Sequence, residues 1–527
     1  MSPVEKSSRV KCAVTRALPA VLCLTLPGCS LGTSFDQDPK AETSPSLSPS
    51  PLDSSDPTEE PAPRGGLTDF YEQDVEWETC RSDKLCVRVK VPLDYAEPEA
   101  ESISLSMLKV PAAHGLKRIG SLVVNPGGPG GSGVEYAAQA SAYFGAEVLE
   151  VFDVVGFDPR GVGKSTPVQC LTDAALDEFV ASDPDPDTVA ERREADELLR
   201  EFGEGCTQNS GDLAAHVSTV EAAKDIDIIR SVLGDKQLSY FGASYGTFLG
   251  ATYAELFPSR VGRMVLDGAI DPALSIEERR LVQAEGFETA LRAYVGNCVD
   301  AGDCFLGDSV DAGTQRIRAF LDEVEAEPIA ASGPRSLEAG NAVLGVWAPL
   351  YNKDYWPILD GALGSAFAGN GSSLLSLSDA YTSRGRMGYL DNSLEALYAV
   401  TCLDQDDTVP VGRAPNRVEV FEEVSPTFGA IFAYGVSGCA DWPLDSVEAP
   451  AEIDAEGAEP ILVVGTTRDP ATPVEWAEAL AAQLDSGVLV RRDGDGHTGY
   501  NTGNECVDDV VESYLVSGKT PKAQVDC

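Results

Sequence analysis

Histidine is scarce in this chain: only His114, His216 and His497 occur in 527 residues. Basic side chains are scarce as well, 39 Lys and Arg against 85 Asp and Glu, leaving a net charge of −46. A protein that grips nucleic acid needs a basic footprint, so this balance excludes that class. An acidic, solvated surface suits a protein kept dispersed outside the cell. No C-x-x-C pair occurs, and with so few histidines neither a metal site nor a cofactor is expected. The apolar stretch from Ala17 to Leu26 is too short to cross a bilayer. No internal repeat is evident.

That short stretch has another reading. Lys6, Arg9, Lys11 and Arg16 precede or open it, and Leu26-Pro27-Gly28-Cys29 follows in the form of a lipobox. Residues 1–28 are therefore expected to be a signal peptide, with Cys29 lipidated; plain secretion is the alternative. Residues 29–66 are rich in Ser, Pro and acid and cannot bury a core, so they read as a disordered tether. Cys12 and Cys23 leave with the signal, and Cys29 takes lipid. Ten cysteines remain, an even number suited to disulfides in an oxidising compartment. Spacing does not fix connectivity. The simplest scheme pairs Cys80 with Cys86, Cys170 with Cys206, Cys298 with Cys304, Cys402 with Cys439, and Cys506 with Cys527, each worth about 2–4 kcal/mol.

The chemistry is carried by Gly242-Ala243-Ser244-Tyr245-Gly246, a G-x-S-x-G pattern. A strand-like run, Gln237 to Phe241, precedes it and a helix-compatible stretch, Thr247 to Leu256, follows. Strand, tight turn and helix is the setting of a nucleophile elbow, in which the serine hydroxyl projects at the top of a sheet. The hydroxyl needs a base. With such elbows the acid and then the histidine follow the serine along the chain, and only His497 follows Ser244. It lies in a glycine-rich loop after the strand-like run Gly487 to Arg491. The acid should follow another strand, Pro460 to Gly465, which puts Asp469 just past a strand's carboxyl end. Asp469 would hold the imidazole tautomer and stabilise the imidazolium. Its competing role is to cap the helix starting near Val474, for which Thr472 is better placed.

An oxyanion hole completes the apparatus. The strand-like run Gly120 to Val124 empties into Asn125-Pro126-Gly127-Gly128-Pro129-Gly130-Gly131-Ser132-Gly133, where backbone amides can meet a developing negative charge. Gly128 is the first candidate donor and Gly127 the second; the amide of Tyr245, directly after the nucleophile, is the other partner. The same loop fits G-x-G-x-x-G, with Asp153 20 residues on, but Pro129 removes an amide from the turn a dinucleotide would use. Gly161 to Thr166 imitates the end of a phosphate loop, yet Asp158 stands where its first glycine belongs.

Together these residues resemble the α/β-hydrolase family of actinobacterial tripeptidyl aminopeptidases, related more distantly to proline iminopeptidases. The resemblance rests on N-P-G-G-P-G-G-S-G at 125–133, V-G-F-D-P-R-G-V-G-K-S at 155–165, G-A-S-Y-G-T at 242–247, V-L-D-G-A-I-D-P at 265–272, C-L-D at 402–404, T-R-D-P-A-T-P at 467–473 and G-H-T at 496–498. It spans residues 70–527 and carries Ser244, Asp469 and His497 over as nucleophile, acid and base. It implies a secreted exopeptidase that removes short peptides, tripeptides among them, from free N-termini. Proline iminopeptidases have His where Pro126 stands here, so the chain follows the secreted branch.

The expected fold is α/β: a mostly parallel sheet with helices on both faces and a large, mainly helical cap. Strands are expected at Cys86–Val91, Ile103–Val110, Ser121–Val124, Val151–Phe157, Leu238–Phe241, Arg263–Leu266, Ile461–Val464 and Val488–Arg491, several of them continuous apolar runs. An amphipathic helix, His216–Leu233, should lead into the elbow strand. The core is then 67–272 and 456–527, and the surplus between, 273–455, is the cap, with helices at Ile276–Val295, Thr314–Ala326 and Ser393–Thr401. Trp347, Tyr351, Tyr355 and Trp356 should build mainly the cap's own core, with some lining a pocket. An exopeptidase must bind an α-ammonium, and a buried carboxylate is the natural device. Asp404 is the first candidate, since a disulfide would pin it and the family has an acid there; Asp271, Asp406 and Asp441 compete. The reading is a monomeric serine peptidase acting on peptides. Its rivals are a carboxylesterase or lipase working on cell-envelope substrates with the same triad, and a non-catalytic peptide-binding lipoprotein.

Overall fold

The computed structural model describes residues 65–113, 117–447 and 449–527; the signal peptide, Cys29, most of the tether and His114 lie outside them. Ten strands form one sheet: β1 Glu78–Cys80, β2 Lys84–Pro92, β3 Ser102–Val110, β4 Gly120–Asn125, β5 Phe152–Phe157, β6 Leu238–Ala243, β7 Val261–Asp267, β8 Ile461–Arg468, β9 Gly487–Asp495 and β10 Val525–Asp526, in the order β1-β2-β3-β5-β4-β6-β7-β8-β9-β10. The first three and the β3–β5 pair are antiparallel, and the pairs from β5 to β10 are parallel. This is the α/β-hydrolase arrangement. Every expected strand is present, because Val- and Leu-rich runs bury both faces. In β4, Leu122 and Val124 pack to one side while Val123 packs to the other, and in β8 Leu462 and Val464 oppose Ile461 and Val463. The short edge strands β1 and β10 escape a periodicity reading. Each is tied down by a disulfide, Cys80–Cys86 and Cys506–Cys527.

The other three disulfides are Cys170–Cys206, Cys298–Cys304 and Cys402–Cys439, so all five join neighbours in sequence. Such bonds belong to a chain that folds in an oxidising compartment. No helix of the described residues is long and apolar enough to cross a membrane.

Between β7 and β8 the chain leaves the sheet. Helix Ile276–Ala301 starts at a capping box, Ser275 with Glu278, and it packs with helices Val310–Ala326, Ala339–Leu350 and Trp356–Phe367 around a separate apolar core. Trp356 belongs to that core. Two features differ from the sequence expectation. Helix Ser393–Leu403 buries Ala396, Ala399, Val400 and Leu403 against the sheet's own core rather than the cap's. A second excursion, helices Asp173–Ala181 and Val189–Ser210, leaves between β5 and helix Thr219–Val232. Its Phe179 meets Tyr398 of helix Ser393–Leu403 edge-on and its Phe202 packs tilted against the same ring, and Glu395 accepts from the amides of Cys170 and Leu171. Two insertions thus roof the sheet, sealed to each other by aromatic and polar contacts.

Beneath this roof Arg160 is fully buried. Its guanidinium donates twice to Asp225, each at 2.8 Å, and to the carbonyls of Pro92, Leu93 and His216. The pair staples helix Thr219–Val232, which leads into β6, to the end of β2. Arg160→Ala leaves Asp225 buried without its cation and is expected to cost about 3–5 kcal/mol, read as a lowered urea midpoint with the disulfides intact.

Candidate active site

Ser244 occupies the turn between β6 and helix Tyr245–Leu256 with φ 56° and ψ −126°. A non-glycine residue there is strained, and its surroundings hold it. The Ser244 amide donates to the Asp267 carbonyl at 2.9 Å, and the Thr247 amide returns to the Ser244 carbonyl at 2.8 Å. A Cβ on Gly242 would lie 2.2 Å from the Gly246 carbonyl oxygen, so strand and helix close this tightly only around glycine.

Asp469 follows β8 and is 1 % exposed. Its Oδ1 accepts from the amides of Ala471 and Thr472, both at 2.9 Å. Its Oδ2 accepts from the Thr498 amide at 3.0 Å and the Thr472 hydroxyl at 3.1 Å. The Nδ1 of His497 donates to the carboxylate at 2.8 and 2.9 Å. Thr472 was expected as a helix cap. Helix Val474–Gln483 instead has Pro473 at its N-cap without a side-chain bond, and the Thr472 hydroxyl is committed to Asp469. With Nδ1 engaged, Nε2 of His497 is sheltered from solvent and has no hydrogen-bond partner among the described residues. Burial alone would lower the imidazole pKa. The charge and hydrogen bond of Asp469, with the charge of Asp267, outweigh it and leave the pKa above 6.5.

Asp267 supports the site, a role that motif reading did not assign to it. Fully sheltered at the end of β7, it accepts from the Gly499 amide at 2.7 Å and the Tyr500 amide at 2.9 Å, anchoring the loop that carries His497. Burial holds its carboxyl at about 6, against the two amide bonds and the His497 charge, which pull it down. The signal was present: an acid ending an otherwise apolar strand. Tyr351, from the cap, holds the loop from above. Its carbonyl accepts from the His497 amide at 2.8 Å, and its ring meets the imidazole edge-on with centroids 5.3 Å apart.

The glycine loop lies against the elbow. A Cβ on Gly127, where φ is +94°, would fall 2.5 Å from the Ala243 carbonyl oxygen and 2.9 Å from the Tyr245 nitrogen. Gly127 is corrected as an oxyanion donor, because its amide already donates to Asn125 Oδ1 at 2.8 Å. The amides of Gly128 and Tyr245 make no hydrogen bond among the described residues. Asp158 fixes the loop's far end, accepting from the Ser132 hydroxyl and, at 2.9 Å, from the Lys164 amide.

Asp404 is not on the cavity wall. Its carboxylate accepts from the Thr219 amide at 2.9 Å and the Thr219 hydroxyl at 2.6 Å, and the Thr219 hydroxyl also meets the Tyr245 hydroxyl. It therefore braces the residue after Ser244 instead of facing a ligand. Of its competitors, Asp271 is bound by Gln483 at 2.7 Å, while Asp406 and Asp441 are exposed.

A cavity of about 810 Å³ opens over the elbow, with Ser244, His497, Trp347, Tyr351, Arg280 and Asp183 among its walls. A smaller one of about 230 Å³ shares Ser244, Arg280, Trp347 and Tyr351. Half-buried Ser244 and the histidine thus meet a space built by both insertions.

Comparison with known proteins agrees with this geometry. Residues 425–527 match the family described as TAP-like protein. The chain is 36% identical over 477 residues to serine protease Hip1 of Mycobacterium tuberculosis, covering 86% of this chain and 91% of that protein. It is 36% identical over 468 residues to carboxylesterase B of the same organism, with 86% and 89% covered. It is 31% identical over 475 residues to tripeptidyl aminopeptidase of Streptomyces lividans, with 86% of each covered.

The balance at His497 can be read directly, since three histidines give few imidazole signals. Asp469→Asn removes the charge that raises the His497 pKa and leaves the burial that lowers it. The imidazole midpoint, followed by NMR titration, is expected to fall by about 1–3 pH units; an unmoved midpoint would mean that Asp469 does not set it.

Proposed function

Because the chain belongs to the TAP-like family of α/β-hydrolase enzymes, we propose that it is a serine exopeptidase releasing short peptides, tripeptides among them, from free N-termini. The observation that carries the reading is the His497 imidazole, bound through Nδ1 to a fully sheltered Asp469 and left with an unpaired Nε2 beside the cavity that Ser244 lines. In this mechanism His497 takes the Ser244 proton through Nε2 and the hydroxyl oxygen attacks the scissile carbonyl carbon. The amides of Gly128 and Tyr245 receive the oxyanion. The imidazolium gives its proton to the departing amine. Water, deprotonated by His497, then releases the acyl group from Ser244.

Three extended residues span roughly 10 Å, which a cavity of about 810 Å³ accommodates. With Asp404 committed to Thr219, the substrate ammonium is assigned to Asp183, a wall residue whose Oδ2 has no partner among the described residues. Glu135, on the same wall, is paired with Arg81. The disulfides support export, and the sequence around Cys29 supports a lipid anchor. The second reading, a carboxylesterase, is favoured by the equal identity to carboxylesterase B.

The test compares a chromogenic tripeptide amide with a free N-terminus, its N-acetylated twin and a short acyl ester. The free amide should be cleaved in preference to its acetylated twin, and Ser244→Ala should lower its kcat at least about 10⁴-fold. Ester cleavage with both amides untouched establishes the esterase instead. Ligand binding that survives in Ser244→Ala, with no turnover by the wild type, would leave only a binding protein.

A further inference from the structure

The chain has more than twice as many acidic as basic side chains, yet one arginine on the cavity wall has no carboxylate partner among the described residues. Arg280, on helix Ile276–Ala301, lines both cavities beside Ser244. It makes no ion pair among the described residues. Its one hydrogen bond is to Gln283 Oε1 at 2.8 Å, and its Nε is sheltered from solvent with no partner. The groups acting on its charge are the hydroxyls of Tyr398, Tyr381 and Tyr351, not carboxylates, and burial lowers its pKa below the usual guanidinium value. Its neighbour Arg279 feels the charge of Arg280 but differs from it in having Asp404, Asp407 and Asp271 around it as well.

A guanidinium partly withdrawn from water is costly unless paired, yet this one is held in place. Gln283 accepts from it and donates to the Ala471 carbonyl at 2.8 Å, on the loop that carries Asp469. The fork is therefore set relative to the catalytic loop while part of its donor set stays unused. Five N–H donors in a plane match a carboxylate better than any other group a peptide offers.

We propose that Arg280 binds a carboxylate of the substrate, so that the preferred substrates carry an acidic group close to the scissile carbonyl. This deepens the reading of the site as a serine hydrolase and rests on it. The carboxylate has two sources, an acidic side chain beside the cleaved bond or the free C-terminus of a short peptide. Each is a salt bridge in a sheltered site, where a charged partner outbinds its neutral isostere by about ten- to a hundredfold.

The test uses matched pairs on the whole protein. Tripeptide chromogenic amides ending in Glu or Gln read the side-chain source. Tetrapeptides with a free or amidated C-terminus read the terminal source. Aryl esters of glutaric acid and of its monoamide read the same charge without any peptide bond. The carboxylate member of at least one pair should be favoured about tenfold or more in kcat/KM, mainly through KM. Arg280→Gln should erase that ratio and Arg280→Lys should restore part of it. Inhibition of the wild type by glutarate over glutaramate reads the same preference should a variant not fold. Equal or reversed ratios in every wild-type pair, or a preference that persists in Arg280→Gln, would overturn the proposal. A charge preference on esters with all amides untouched would sink the peptidase assignment and leave the role of Arg280 standing.

Discussion

A carboxylate at Asp469 with 1 % of its surface exposed is the constraint on which the site depends. Burying such a charge is prohibitive unless its lone pairs are met. Here the donors are two amides of its own turn, the Thr472 hydroxyl, the Thr498 amide and the His497 imidazole. They come from the loops after two neighbouring parallel strands, β8 and β9, so the strand register decides whether the charge is satisfied. That register shifts between Thr466 and Arg468, at the top of the pair. Thr466 then donates to the Thr498 carbonyl at 2.8 Å, locking the two loops together above the shift. Imidazole orientation is thus a consequence of solving a burial problem.

The insertions are part of the same solution. Three components of the site have a partner contributed from outside the sheet. The His497 amide is held by the Tyr351 carbonyl. Tyr245 is braced through Thr219 by Asp404. Gly130 runs so close to Ser393 that a Cβ there would lie 2.4 Å from its carbonyl oxygen. Cys402–Cys439 fixes the end of the helix that supplies Ser393 and leads into Asp404. A roof attached at these points cannot drift without disturbing the His497 loop, Tyr245 or the glycine loop. Specificity and chemistry are therefore mechanically linked.

The sheet was legible because parallel strands covered on both faces must be continuous apolar runs, as Ser121–Val124 and Ile461–Val464 are. The pairing of Asp469 with His497 beside a cavity that Ser244 lines was legible because chain order and strand ends restrict where an acid and a base can sit, and because histidine is so rare. Hydrogen-bond direction was not legible. Gly127 and Gly128 are indistinguishable as letters, yet Asn125 captures the amide of one and not the other. Asp404 was a sound candidate by composition, but whether a carboxylate faces a ligand or a neighbouring threonine depends on how the helix Ser393–Leu403 lands on the core. The excursion Asp173–Ser210 was missed for a similar reason. Its helices carry their own amphipathic pattern, and nothing in that pattern says which surface receives it.

In the proposed mechanism the choice between amide and ester hydrolysis turns on the proton that His497 holds after attack. An alkoxide or phenoxide can leave an ester's tetrahedral intermediate with modest help. An amine leaves an amide only once it has been protonated, so collapse toward products requires a persistent imidazolium. Burial works against that state, and the charges of Asp469 and Asp267 together reverse the balance and raise the His497 pKa. The second carboxylate matters here. Asp267 does not touch the imidazole, yet its charge lies on the same side of the ledger while its oxygens anchor the amides of Gly499 and Tyr500. The electrostatics of the histidine loop thus hold the imidazolium available for the proton transfer that the proposed amide cleavage needs.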